Sequence, residues 1–321
     1  MSLTGSLPKG VSISPDGHTL YVTNYGNANG SNVFLYNAET LERTGQIDIP
    51  GIVVESALSP DGRMLYVSNF RRNTVQFVDL RTRRVRREVR AGAHPKVLAL
   101  SRDGRRLFVA NWSSASVTEL DVARGTVTRT LRAGRNPRGM VMTAAGRLYI
   151  ANFNGHTLDV YDGPTLSEHR RVTPLCRIPR HLALSPDDAR LYVSCFSDSK
   201  LLVLSTQSDS IEREVSIGNW PKSIDVSADG RYVFSADYGG SSVSLVDTQD
   251  WSSATLDVPW MDHGSGVVAA RRGHRFYATG WYDNHVFAVD FSQGITGLTP
   301  SDAMRALTLR RRDFHRLHPT E

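Results

Sequence analysis

The stretch Ser59-Pro60-Asp61-Gly62-Arg63-Met64-Leu65-Tyr66-Val67-Ser68-Asn69 decides the fold. A four-residue turn signal, Ser-Pro-Asp-Gly, leads into an alternating run of β-branched and aromatic residues that ends on Asn. That is the grammar of a strand entered through a tight turn. The same signal occurs at Ser14-Pro15-Asp16-Gly17, and worn copies follow at Ser101–Gly104, Thr143–Gly146, Ser185–Asp188, Ser227–Gly230 and Ala270–Gly273. The last residue of each copy falls at 17, 62, 104, 146, 188, 230 and 273, so the spacings are 45, 42, 42, 42, 42 and 43. A fixed period of this length marks a repeat architecture.

Working outward, each unit shows four short runs. An apolar run such as Val97–Leu100 enters the turn, and a run such as Leu107–Asn111 leaves it. A third, Thr74–Asp79 in the second unit, follows a polar loop. A fourth, more polar run ends near Gly-x-x-Pro, as in Gly92-Ala93-His94-Pro95. Four strands in about 42 residues match one blade of a propeller. The expected fold is therefore all-β: a seven-bladed β-propeller of four-stranded antiparallel blades. Blades start near 8, 52, 95, 137, 179, 221 and 264, the propeller occupies residues 1–298, and residues 299–321 form a tail with a short helix over Ser301–Leu309. The fourth strand of blade seven comes either from Ile295–Leu298 or from Leu3–Ser6, which would join the two ends of the ring.

Tyr21-Val22-Thr23-Asn24 resembles the signature of the YVTN repeat β-propellers, with close variants at Tyr66 and Tyr192, and the resemblance covers about residues 8–294. It implies the fold and little about activity; some members are extracytoplasmic binding proteins. More weakly, Pro179-Arg180-His181-Leu182-Ala183-Leu184-Ser185-Pro186 and Tyr238-Gly239-Gly240-Ser241-Ser242-Val243-Ser244 resemble motifs of the 6-phosphogluconolactonase-like propellers. That resemblance implies that Arg180 holds an anionic substrate group, that His181 is a general acid or base, and that Glu55 is its partner base. The blades here are shorter than is usual in that family, and its further His-rich strand motif is absent.

Bulk composition narrows the field. The 321 residues are 40% hydrophobic, with no apolar run long enough for a spanning helix, so no membrane partner is expected. The opening residues carry no leader pattern. The chain as written is expected in the cytoplasm, or in the periplasm or outside if a leader was removed. A net charge of +6 and a pI near 9.5 favour anionic partners in general. Arg81, Arg83, Arg84, Arg86, Arg87 and Arg90 fall on an outer strand, where charge guards an exposed edge, and Arg310–Arg312 reads as a solvated tail. Nucleic acid is not an expected partner, and a monomer is.

With strands labelled A to D from the axis outward, the start of A and the end of B share one mouth of the tunnel. The residue after the loop proline gives a ring of Lys9, Glu55, Lys96, Arg138, Arg180, Lys222 and Ser265. The end of B gives Asn24, Asn69, Asn111, Asn152, Cys195, Asp237 and Gly280. The next residue is always aromatic: Tyr25, Phe70, Trp112, Phe153, Phe196, Tyr238 and Trp281. The aromatics suit packing of blade on blade as well as ligand contact. Five cations around one narrow mouth repel one another, which points to an anionic small molecule or acidic polymer bound there.

Departures from the repeat are candidate chemistry: Glu55, His94, His181, Cys195, Asp237 and His263. His181, Glu55, His263 and Arg180 form an expected acid–base and oxyanion-stabilising set for a lactonase-like hydrolase or a lyase. His94, His181 and His263 are candidate ligands for a divalent or transition metal, the cofactor itself being unspecified. An interaction scaffold is the remaining reading. Cys176 and Cys195 both fall at the top of blade five; we expect free buried thiols, the other reading being a disulfide, which would imply an oxidising compartment.

Overall fold

The computed structural model describes residues 2–291 except 4, 29, 164 and 259, with side chains from residue 5 onward. These residues form seven four-stranded antiparallel sheets arranged as a closed propeller. One short 3₁₀ turn, Phe196–Asp198, interrupts the strands. Among the described residues no helix is long and apolar enough to cross a membrane.

Blade three shows how the sequence builds each unit. Strand A runs Pro95–Leu100, B Arg106–Asn111, C Ser116–Asp121 and D Thr126–Arg132. Between A and B, Ser101 Oγ donates to Asp103 Oδ1 at 2.6 Å and accepts from the Arg106 N–H at 2.9 Å. Asp103 Oδ1 also takes the Arg105 N–H at 3.0 Å. Gly104 completes the turn with φ +72°, a conformation that favours glycine.

The turn also joins blades. A Cβ on Gly104 would lie 2.8 Å from Pro60 Cδ of the preceding blade, and Gly230 meets Pro186 in the same way. The worn copies compensate one another. Ala144 replaces the proline in blade four and so regains an N–H. Asp188 replaces the glycine of blade five, and its Oδ2 accepts that N–H at 2.6 Å.

Apolar burial falls between blades rather than at a common centre. Seven clusters each join two neighbours; one of them packs Phe108 and Val117 of blade three on Leu148 and Ile150 of blade four. Closure of the ring is settled by the N-terminus. Ser2–Leu3 pairs antiparallel with Val286 and His285 as the outer strand of blade seven, and the chain then passes directly into Pro8–Ile13, strand A of blade one. The alternative closing segment, 295–298, and the expected tail and helix from 299 onward lie outside the described residues.

At the mouth, every strand A carries a β-bulge, between Pro95 and Leu98 in blade three and at matching places in the others. A bulge re-aims side chains. In four blades the hydroxyl of the YVTN-type motif pins it. Thr23, Ser68, Ser194 and Thr279 accept the N–H of Gly10, Glu55, His181 and Gly266 at 2.9–3.1 Å.

Candidate functional site

Strand register corrects the expected first ring. Val53 pairs with Asn69 as Pro8 pairs with Asn24, so the blade-two counterpart of Lys9 is Val54, not Glu55. Blade two has Pro50 three residues early and no proline at the strand start, which removes the landmark. Counting back eight residues from the glycine of each turn locates Val54 correctly. The ring is thus Lys9, Val54, Lys96, Arg138, Arg180, Lys222 and Ser265. Glu55 belongs to the next level inward, with Gly10, Val97, Gly139, His181, Ser223 and Gly266.

Four ring cations are more than nine-tenths buried: Lys9 (8% exposed), Arg138 (6%), Arg180 (8%) and Lys222 (4%). Lys96 is partly open. The aromatic ring lies against them. Lys96 Nζ is 3.5 Å from the Trp112 ring centroid and 5.5 Å from Phe70. Arg138 lies 5.9 and 6.0 Å from Trp112 and Phe153, and Arg180 lies 5.5 and 4.4 Å from Phe153 and Phe196. Lys222 sits 4.1 Å from Tyr238 and 4.4 Å from Trp281, and Lys9 is 4.8 Å from Trp281. The aromatics also touch from blade to blade, Tyr25 meeting Phe70 at 6.2 Å and Trp281 at 5.6 Å.

Aromatic faces soften the loss of water around a cation by roughly 0.5–2 kcal/mol each, but they supply no countercharge. Among the described residues no carboxylate lies within 4.0 Å of any of the five cations. Arg180 Nε and Ser265 Oγ are buried with no hydrogen-bond partner. Burial, with the field of Arg138 next, pushes Lys96 down to about 5. The same causes hold Lys9 far below the usual lysine range. Lys222 is held down by burial and then by Lys9.

Beneath the cations lies a cavity of about 290 Å³ lined by Glu55, Ser56, His181, Ser223 and Asp225 among apolar residues such as Val97, Met140 and Ile224. Glycines let the inner strands converge there: a Cβ on Gly139 would sit 2.9 Å from His181 Cα, and one on Gly10 would collide with the Glu55 carboxylate. Burial raises Glu55, only partly offset by Lys9, Arg138, Lys222 and Arg180. Burial and then Arg138 and Arg180 push His181 down to about 4, so its imidazole is neutral near pH 7. Its Nδ1 accepts from the Ile224 N–H at 3.4 Å, which leaves the ring proton on Nε2.

Other expected site residues sit elsewhere. His94 stacks on Phe70 with centroids 4.4 Å apart and bonds Ser113 Oγ at 2.7 Å. His263 bonds Asp262 Oδ1 at 2.5 Å and lies edge-on to Tyr238 and Tyr282. Both occupy the left-handed loop position before strand A, with φ of +55° and +59°, which carries them away from His181. The expected three-histidine metal site is therefore not assembled, and among the described residues no group of three potential ligands comes together. His263 likewise stays out of the cavity that holds Glu55 and His181.

Asp237 does not face the mouth. It is sealed beneath the loop, accepts from Ser235, Ser242 and Ser244 hydroxyls at 2.7–3.1 Å, and is raised to about 7 by burial.

The cysteines are not free thiols. Cys176 and Cys195 form a disulfide with Cα atoms 6.0 Å apart. The repeat explains the pair. In blade three the loop Gly92 N–H bonds Asn111 Oδ1 at 3.0 Å. Cys176 stands at the glycine position and Cys195 at the asparagine position, so a covalent bond replaces that hydrogen bond, and Cys195 offers no nucleophile. Two cysteines three residues before a strand and at the end of its partner were the available signal.

Comparison with known proteins agrees with this architecture. A YNCE-like beta-propeller model matches residues 2–147, and a model described as "Lactonase, 7-bladed beta-propeller" matches residues 168–292. Together they support the propeller fold, the lactonase model falling on the last three blades. Antigen Lp49 of Leptospira interrogans is 28% identical over 106 residues, 29% of this chain and 23% of that protein, so the match spans about a quarter of the curated relative.

Two solved structures share the fold. The Kuenenia stuttgartiensis hydrazine synthase chain superposes with TM-score 0.79 at 19% identity, covering 91% of this chain and 97% of that one. The Cps50 (Swd1) beta-propeller domain of Myceliophteria thermophila gives 0.73 at 16%, covering 88% and 96%.

Proposed function

We propose that this propeller recognises an anionic ligand, a small molecule bearing phosphate or carboxylate groups or the end of an acidic polymer, at the mouth formed by Lys9, Lys96, Arg138, Arg180 and Lys222. The observation that carries the reading is the set of five inward cations without a carboxylate partner, together with the orphaned Arg180 Nε. Buried charge without countercharge is costly, and an anion would supply it. The test is a thermal-shift titration with phosphates and sugar acids at constant ionic strength. Stabilisation by several degrees is expected for the native protein, reduced about tenfold in apparent affinity by Arg180→Ala or Lys96→Ala. Equal binding by the native and Arg180→Ala/Lys96→Ala proteins would refute it.

A second reading, lactonase-like hydrolysis or lyase chemistry, is favoured by Glu55 and His181 lining one cavity and by the lactonase model matching blades five to seven. In it, Glu55 as carboxylate would activate water or take a proton, the neutral His181 would give a hydrogen bond from Nε2 to the developing oxyanion, and Arg180 would hold the anionic group. Turnover of sugar-acid lactones followed by acid release, lost in both Glu55→Gln and His181→Ala, is the expected result; a turnover indifferent to both would remove it. The disulfide supports assignment to an oxidising compartment.

A further inference from the structure

Resting on the anionic reading of the mouth, we propose that its ligand is a compact polyanion carrying two or more negative charges within one small volume, and not a monoanion.

The argument is charge counting in a confined space. With every group ionised, the five basic side chains of the ring stand over two carboxylates that line the cavity beneath, Glu55 one level inward and Asp225 deeper, so the formal excess is 5 − 2 = +3. The cations are not spread evenly. Lys96, Arg138, Arg180 and Lys222 occupy four consecutive blades, while Val54 and Ser265 leave neutral gaps on either side of Lys9. Groups from opposite sides of the ring feel one another: Arg138 and Arg180 of blades four and five both act on Lys9 of blade one. All therefore converge on one spot. With the ring fully protonated, a monoanion would leave about two uncompensated charges among buried groups, whereas a tricarboxylate or oligophosphate would neutralise them. The guanidinium groups of Arg138 and Arg180 are suited to fork onto oxygens of such groups.

The titration of the site points the same way. The groups facing the lysines are Glu55, Arg138, Arg180 and Tyr238, with Asp225 deeper in the cavity, and Glu55 is the one acidic group that acts to hold protons on them. Burial and the neighbouring cations hold the lysines short of protons, and a polyanion would draw protons onto them. Binding should be accompanied by proton uptake and should weaken as pH rises.

Isothermal titration of the full chain at fixed ionic strength tests this, with acetate, orthophosphate, pyrophosphate, citrate and tripolyphosphate as probes in two buffers of different ionisation enthalpy. Affinity is expected to rise about tenfold with each added charge, with net proton uptake at pH 7.5. The surface variant Arg84→Ser/Arg87→Ser should leave it unchanged, and Lys96→Met/Lys222→Met, which removes two buried amines, should fold and lose most of the charge dependence and the proton uptake. Acetate binding within threefold of tripolyphosphate would overturn the polyanion assignment while leaving the anionic mouth standing. Binding lost in Arg84→Ser/Arg87→Ser but kept in Lys96→Met/Lys222→Met would place the polyanion on the outer surface and overturn it too. No binding by any probe would overturn both.

Discussion

At the level of single residues, the mouth trades stability for charge. Lys96 carries a proton in the unfolded chain up to about pH 10.5 but in the folded protein only up to about 5. Between those values the unfolded state binds more protons, so stability without ligand rises with pH across the window. Lys96→Met should therefore raise the melting temperature at pH 7, with a gain on the order of 1 kcal/mol or more, while weakening anion binding. Scanning calorimetry showing a lower melting temperature for the variant would contradict the account. Asp237 has the opposite sign. Its carboxyl, raised from 3.8 to about 7, holds a proton in the folded state that the unfolded chain has lost, so its contribution falls as pH rises from about 4 to 7. Asp237→Asn restores the residue used by blades one to four and should stabilise the protein by about 1 kcal/mol at pH 8. At pH 4 the effect should be small. A melting-temperature difference that does not vary with pH would show that the proton is not involved. Neither effect was legible in the sequence, where Asp237 looked like one more symmetry-breaking group at the mouth. Burial by Ser235, Ser242 and Ser244 gives it a structural role instead.

At the level of the strand and its loops, one joint recurs in blades three to six with different chemistry. The loop N–H three residues before strand A must find an acceptor. Asn111 provides it in blade three, Asp159 for Gly134 at 2.8 Å in blade four, Ser244 for Gly218 at 2.8 Å in blade six, and the disulfide takes over the joint in blade five. Breaking the disulfide, which closes a short loop with a sequence separation of 19, should cost about 3 kcal/mol. Cys176→Gly/Cys195→Asn should recover part of that loss by rebuilding the hydrogen bond, whereas Cys176→Ser/Cys195→Ser should not. Equal urea midpoints for the two double variants would refute the equivalence. The bulge beside this joint decides the site: it places Glu55 and His181 one level below the cations. Spacing from the turn glycines carried the register, but the missing proline of blade two hid it, and a one-residue slip moves a side chain to another ring.

At the level of the whole molecule, seven blades bury their apolar faces only against neighbours, so the last interface exists only if the ends meet. Removing residues 1–4 deletes the strand Ser2–Leu3 and leaves His285–Asp290 as an uncovered edge. A loss on the order of 2 kcal/mol is expected, read as a lower chemical-denaturation midpoint with the blade content kept by circular dichroism; an unchanged midpoint would show that the outer strand is dispensable. The sequence by itself determined the number of blades, the strand order and which end of the tunnel is basic, because period, turn chemistry and alternation are local properties repeated seven times. Only the tertiary structure decided which acidic residue reaches the cavity, that the three histidines stay apart, that the cysteines join and which terminus closes the ring. Those outcomes depend on register and on contacts between residues distant in the chain, and no local pattern encodes them.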